Sequence, residues 1–122
     1  MDCIWGVSFH IDMRLCDANL INSRERLDDW VKNLVKDIDM KAYGEPIICW
    51  FGEKGTNKEG YTVVQLIETS NIIFHGNKSD CSGYLDIFTC KYTKDLQKKI
   101  DENIMKYFKP AYYTIEKIYR QA

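Results

Sequence analysis

The hydrophobic period of this chain changes from two to about 3.6 between its first segment and its second, and that change limits the folds open to it. From Ile4 to Met13, the residues Trp5, Val7, Phe9, Ile11 and Met13 alternate with Gly6, Ser8, His10 and Asp12. Alternation sends the two sets to opposite sides of a strand, so this segment predicts a half-buried strand with Trp5 on the covered side. Leu27, Trp30, Val31, Leu34, Val35 and Ile38 then recur at helical spacing. Asn22 with Glu25 three residues on has the pattern of a capping box that starts this helix.

The rest of the chain is punctuated in the same manner. Pro46 to Phe51, Tyr61 to Glu68, Asn71 to His75 and Tyr84 to Cys90 are short apolar or β-branched runs and predict strands. Two of them could run continuously through Ser70. The stretches Gly52 to Gly60 and residues 76–83 are polar and glycine-bounded, and predict loops. Thr93 can cap a second helix carrying Leu96, Ile100, Ile104, Tyr107 and Phe108 on one face, ended by Pro110. Ala111 to Tyr119 supplies a last, aromatic-rich strand. The order β-α-β-β-β-β-α-β places two helices on one face of a mainly antiparallel sheet, an α+β two-layer sandwich in one domain over residues 1–122. The other sheet face then needs a cover. A second copy would supply it, so a homodimer is expected.

Composition narrows the partners. The 122 residues are 45% apolar and 29% charged, and the formal net charge is −1. Lysines of the C-terminal third interleave with acids, as on a solvated helix face, so no basic footprint for a nucleic acid forms. Five cysteines, Cys3, Cys16, Cys49, Cys81 and Cys90, include no C-x-x-C pair, and only two histidines are present. No metal site is expected from such spacing, and free thiols suit a reducing compartment. No leader pattern opens the chain and no apolar run reaches membrane-spanning length, so a cytoplasmic protein without a membrane partner is expected.

Three reactive side chains stand out by their joint spacing: Ser70, His75 at +5 and Cys90 at +20. Singly, they read as a turn serine, a core histidine and a small buried hydrophobe. Cys90 closes the run Asp86-Ile87-Phe88-Thr89-Cys90, and Cys16-Asp17 follows the first strand. Trp50 and Phe51 read as core residues, His10 as a surface residue of the first strand, and Asp86 as a partner that could orient a neighbour. With the strand order, these motifs resemble the short prokaryotic and viral type of S-adenosylmethionine decarboxylase along nearly the whole chain.

The resemblance implies a proenzyme that cuts itself before its motif serine. Ser70 Oγ would attack the carbonyl of Thr69, converting the amide to an ester. Loss of the Ser70 α-proton would expel the Thr69 carboxylate, and tautomerisation and hydrolysis would release ammonia and leave a pyruvoyl group. The products would be residues 1–69 and 70–122. The resemblance makes His75 the base that supports this elimination, with Thr62 as an assisting hydroxyl. It makes the Ser70-derived pyruvoyl group the cofactor, forming a Schiff base with the substrate amine and accepting the electrons left by CO₂. Cys90 then returns a proton as general acid. Phe51 lies near the family aromatic that stacks on adenine. The product would feed aminopropyl transfer to spermidine.

The departures from the family pattern cluster at the site. Thr69 stands where the family has glutamate, Asn71 where it has histidine, and Gly76-Asn77-Lys78-Ser79 where it reads Thr-Trp-Pro-Glu. Asp80 can replace the missing carboxylate by a one-residue shift. These changes motivate two alternatives: the same machinery acting on a smaller amino acid such as ornithine or arginine, and a non-processing homologue serving as a binding or regulatory subunit.

Overall fold

In the computed structural model, which describes residues 3–122, all the strands join one sheet. The elements run β1 (Ile4–Arg14), α1 (Ala18–Ile21), α2 (Arg24–Asp37), β2 (Ile47–Phe51), β3 (Gly60–Ile67), β4 (Ser70–Asn77), β5 (Ser82–Thr89), α3 (Leu96–Tyr107) and β6 (Tyr112–Gln121). The sheet order is β2-β3-β4-β5-β1-β6, and every neighbouring pair is antiparallel. This is the expected α+β sandwich with one added short helix. The middle strands are not continuous through Ser70: a two-residue turn separates β3 from β4, with Ile67 opposite Ser70.

The helices pack on one side of the sheet. Phe9, Ile11, Ile72, Phe74, Leu85 and Ile87 face Leu27, Trp30, Leu34, Ile100, Ile104 and Phe108 in a single buried core. Trp30 is its hub. Its ring meets Phe74 and Phe108 edge-on, with centroids 5.5 and 4.8 Å away. Its indole N–H donates to Asn103 Oδ1 of α3 at 2.8 Å, so α2 and α3 are joined by a hydrogen bond shielded from water.

Three local expectations change. Residues 18–21 form a helical turn that uses Asn22 as its C-cap, so the N-cap of α2 passes to Ser23, whose hydroxyl accepts from Arg26 N–H. In α3 the N-cap is Asp95, not Thr93, and its side chain caps nothing; the Thr93 hydroxyl donates to Asp95 Oδ1 instead. Trp5 leaves the covered face. The β1–β6 register slips between Ile4 and Gly6, and the extra residue, Trp5, stacks on Phe88 of the uncovered face, 5.7 Å between centroids and 8° between planes.

That uncovered face carries Ile47, Phe51, Leu66, Ile118 and Trp5, all well exposed. Its polar members include His10, whose Nδ1 lies 3.0 Å from Asp86 Oδ1 on the neighbouring strand; this is the neighbour that Asp86 orients. Among the described residues no helix is long and apolar enough to cross a membrane.

Because Asn103 Nδ2 has no protein partner, Trp30 Nε1 supplies the one side-chain hydrogen bond of that buried amide. Trp30→Phe should therefore cost about 1–3 kcal/mol, chiefly from the second orphaned polar atom. Urea unfolding measures this, and Trp30→Phe/Asn103→Leu should recover part of the loss.

Candidate active site

The β3–β4 turn sets the first half of the site. Glu68 and Thr69 are its two central residues, and Thr69 has φ +60°. Two-residue hairpins prefer turns with positive φ at the first central residue or at both, because those match strand twist. Here only the second is positive, a position that suits glycine. Five non-glycine residues have positive φ among those described, and Thr69 is the β-branched one. Such a residue in the left-handed region stores on the order of 1–3 kcal/mol. The strain lies at the residue whose carbonyl precedes Ser70.

Ser70 itself is buried, 7% exposed. Its Oγ accepts the Cys90 backbone N–H at 3.2 Å, which fixes the hydroxyl against the end of β5. The Cys90 Sγ lies 2.7 Å from Thr69 Oγ1, and that hydroxyl also donates to the Glu68 carbonyl at 2.6 Å. Gly6 makes room for this corner. A Cβ there would fall 2.5 Å from the Thr89 carbonyl oxygen and 3.2 Å from Cys90 Cα. A groove of about 550 Å³, lined by Tyr43, Leu66 and Glu68, lies beside the turn. Thr69, Ser70 and Cys90 thus form one cluster, which holds two members of the Ser70–His75–Cys90 spacing.

His75 does not join them. It sits five residues along the same strand, about 16 Å away at 3.3 Å per residue, and an odd separation turns it to the uncovered face. There its Nδ1 meets Thr62 Oγ1 at 2.9 Å, across the β3–β4 ladder. Asp80 shares a cavity of about 490 Å³ with His75, Asn57, Lys58 and Tyr84. One oxygen of Asp80 accepts the Ser82 N–H at 3.0 Å. Phe51, 58% exposed, lies on the same face and at the same end, one pleat beyond the Cys49–Thr62 pair. Phe51, Thr62, His75 and Asp80 therefore gather at the opposite end of the sheet from Ser70.

Sequence reasoning missed several contributors. Trp50 is not a core residue: its indole donates to Glu59 Oε2 at 3.2 Å and fastens the Gly52–Gly60 loop. Gly60 lets that loop press on β4, since a Cβ there would lie 2.0 Å from the Gly76 carbonyl oxygen. The loop so held brings Asn57 and Lys58 to His75, a placement that only tertiary contact reveals. The thiols also differ: burial pushes Cys16 up to about 12, which makes it inert, whereas Cys90 is partly exposed at the corner. Among the described residues no group of three or more His, Cys, Asp or Glu could hold a metal ion.

Relief of the turn strain is measurable. In a Ser70→Ala chain, which lacks the nucleophile, Thr69→Gly should raise stability by about 1 kcal/mol, the strain removed exceeding the entropy cost of glycine. Urea unfolding checks the sign. Equal or lower stability would mean that the turn is relaxed.

Comparison with known proteins agrees with this architecture. A family model described as S-adenosylmethionine decarboxylase matches residues 8–121. A search of curated proteins finds no match. Among solved structures, the adenosylmethionine decarboxylase from Aquifex aeolicus superposes with a TM-score of 0.79 at 18% identity, over 98% of this chain and 93% of that one. That likeness speaks for the fold, while the family match spans β1 to β6 and both halves of the site. The chain belongs to the S-adenosylmethionine decarboxylase family.

Proposed function

We propose that this chain is a self-processing decarboxylase of S-adenosylmethionine that makes its prosthetic group from Ser70. The single observation that carries the reading is the Thr69–Ser70 corner. A β-branched residue in the left-handed region, a buried hydroxyl held by Cys90 N–H and a thiol meet within one hairpin end. An N→O acyl shift is helped by a fixed hydroxyl and by backbone strain beside the scissile bond, and Ser70 Oγ and the left-handed Thr69 are these two features. The residues fit the pyruvoyl group, which when present supplies an electrophilic carbonyl that accepts the electron pair released with CO₂. Around it, the chain's own residues have simple tasks: Cys90 gives the proton that replaces CO₂, and β5 fixes where that proton is delivered. The product class, a decarboxylated sulfonium amine, suits aminopropyl transfer for spermidine synthesis.

His75, the processing base in this reading, reaches Ser70 from a second copy. The two half-sites lie at opposite ends of the same strands. A two-fold axis lying between two facing sheets, perpendicular to their strands, reverses strand direction and keeps β4 over β4. It lays the His75 end of one chain over the Ser70 end of the other, giving two equivalent composite sites. The exposed Ile47, Phe51, Leu66, Ile118 and Trp5 give that pairing its apolar contact. The homodimer then covers the open face and completes the chemistry together.

Of the two candidate substrates, the larger one is favoured by a specific observation. An exposed aromatic, Phe51, and a carboxylate with one oxygen uncommitted, Asp80, stand at one end of the sheet with His75. A purine uses the first and ribose hydroxyls the second, whereas a small amino acid needs neither.

Two experiments test this. Denatured mass of purified protein should give fragments 1–69 and 70–122, the second bearing a keto terminus, with CO₂ released from S-adenosylmethionine and not from ornithine or arginine. Ser70→Ala should remain a single 122-residue chain; an uncut wild-type chain would overturn the reading. For the composite site, Ser70→Ala and His75→Ala chains should each stay intact alone. Unfolded together and refolded, they should yield cleavage confined to the His75→Ala chain, which receives its histidine from the partner. No cleavage in the mixture would refute the shared site.

A further inference from the structure

We infer that Thr69 positions the Cys90 thiol, a task separate from its place in the scissile bond. The geometry assigns the protons. Thr69 Oγ1 lies 2.6 Å from the Glu68 carbonyl oxygen, which can only accept, so the one hydroxyl proton is committed there. The same oxygen stands 2.7 Å from Cys90 Sγ, and with its own proton spent it accepts from the thiol. The S–H bond is thereby aimed along a fixed line. In the uncleaved chain the Cys90 backbone is held as well, because its N–H donates to Ser70 Oγ. The left-handed conformation of Thr69 is what turns its side chain toward β5; an extended residue at that place would point elsewhere.

This inference deepens the decarboxylase reading and rests on it for the thiol's role as proton donor. When Cys90 gives its proton, the S–H bond breaks, its electron pair stays on sulfur and a C–H bond forms at the carbon that lost CO₂. The Thr69 hydroxyl can then turn its proton from Glu68 to the thiolate, since a hydroxyl both donates and accepts. Cleavage does not remove it: Thr69 becomes the last residue of the N-terminal fragment, two residues beyond the Ile67 end of β3. The family's glutamate at this position is thus replaced by a residue with a positioning function of its own.

Infrared spectroscopy in the S–H stretching region tests the contact without activity. The uncleavable Ser70→Ala chain is compared with Ser70→Ala/Thr69→Val and Ser70→Ala/Thr69→Ser, each as a difference against the matching Cys90→Ala protein. Valine keeps the shape and loses the acceptor, so the Cys90 band should move to higher frequency, and serine should leave it in place. An unmoved band in the valine chain overturns the inference whatever the enzyme does. In the cleaved enzyme, Thr69→Val should lower kcat about fivefold, the worth of one hydrogen bond, with KM unchanged and Thr69→Ser restoring it. A shifted band with undiminished kcat would uphold the contact and refute its part in catalysis. Full activity of Cys90→Ala would instead remove the proton-donor reading while leaving the band result standing.

Discussion

One layer of helices and a sheet with two faces form the constraint on which the rest depends. The antiparallel sheet alternates its side chains, and the helices cover Phe9, Ile72, Phe74 and Leu85 on one side only. Trp30 secures that layer through two aromatic contacts and the hydrogen bond to Asn103. The opposite side keeps exposed aromatic and aliphatic residues together with His10, Asp86, Thr62 and His75. A face of this kind is stable in water but gains by being covered. The fold thus holds its stability on the helical side, buries Ser70 at the end of that face, and leaves Thr62 and His75 on the open side.

The strained turn belongs to the same division. Relaxing Thr69 locally would move Ser70 and break its pairing with Ile67, so the ladder holds the turn in place. Six cross-strand pairs of β3 and β4 adjoin the turn, and surroundings fixed in this way let a cost of about 1–3 kcal/mol persist in a folded chain. Glycine at position 69 would be the comfortable choice for a hairpin. Threonine instead gives both the stored strain and a hydroxyl placed on Cys90.

Much of this was legible in the residues. Periods of two and 3.6 located the sheet and the long helices, and of the Ser70–His75–Cys90 spacing the structure brings Ser70 and Cys90 to one corner and leaves His75 apart. Trp5 was misplaced because a bulge breaks alternation without leaving a mark in the pattern. The cap of α2 moved by one residue because the four residues of α1 had no apolar period long enough to detect. The distance between Ser70 and His75 was in principle readable. On a strand an odd separation means opposite faces, and five residues mean about 16 Å. Spacing that is meaningful for a family does not say whether its members meet within one chain.

The separation also bears on what the substrate must be. A site assembled from two sheet ends is wide, since facing sheets stand about 10 Å apart and each end contributes its own pocket. In the dimer proposed above, a substrate would reach from the Ser70–Cys90 corner to the Phe51–His75–Asp80 end of the other sheet. An amino acid joined through a sulfonium to a nucleoside has that length, with an aromatic ring and two hydroxyls at the far end. Ornithine or arginine would fill the corner and leave Phe51 and Asp80 without partners. The polar residues that the Gly52–Gly60 loop adds, Asn57 and Lys58, sit at that far end with Asp80. Departures from the family pattern fall at both ends, with Thr69 and Asn71 beside Ser70 and Gly76 to Ser79 beside Asp80, while Ser70 and Cys90 themselves are kept.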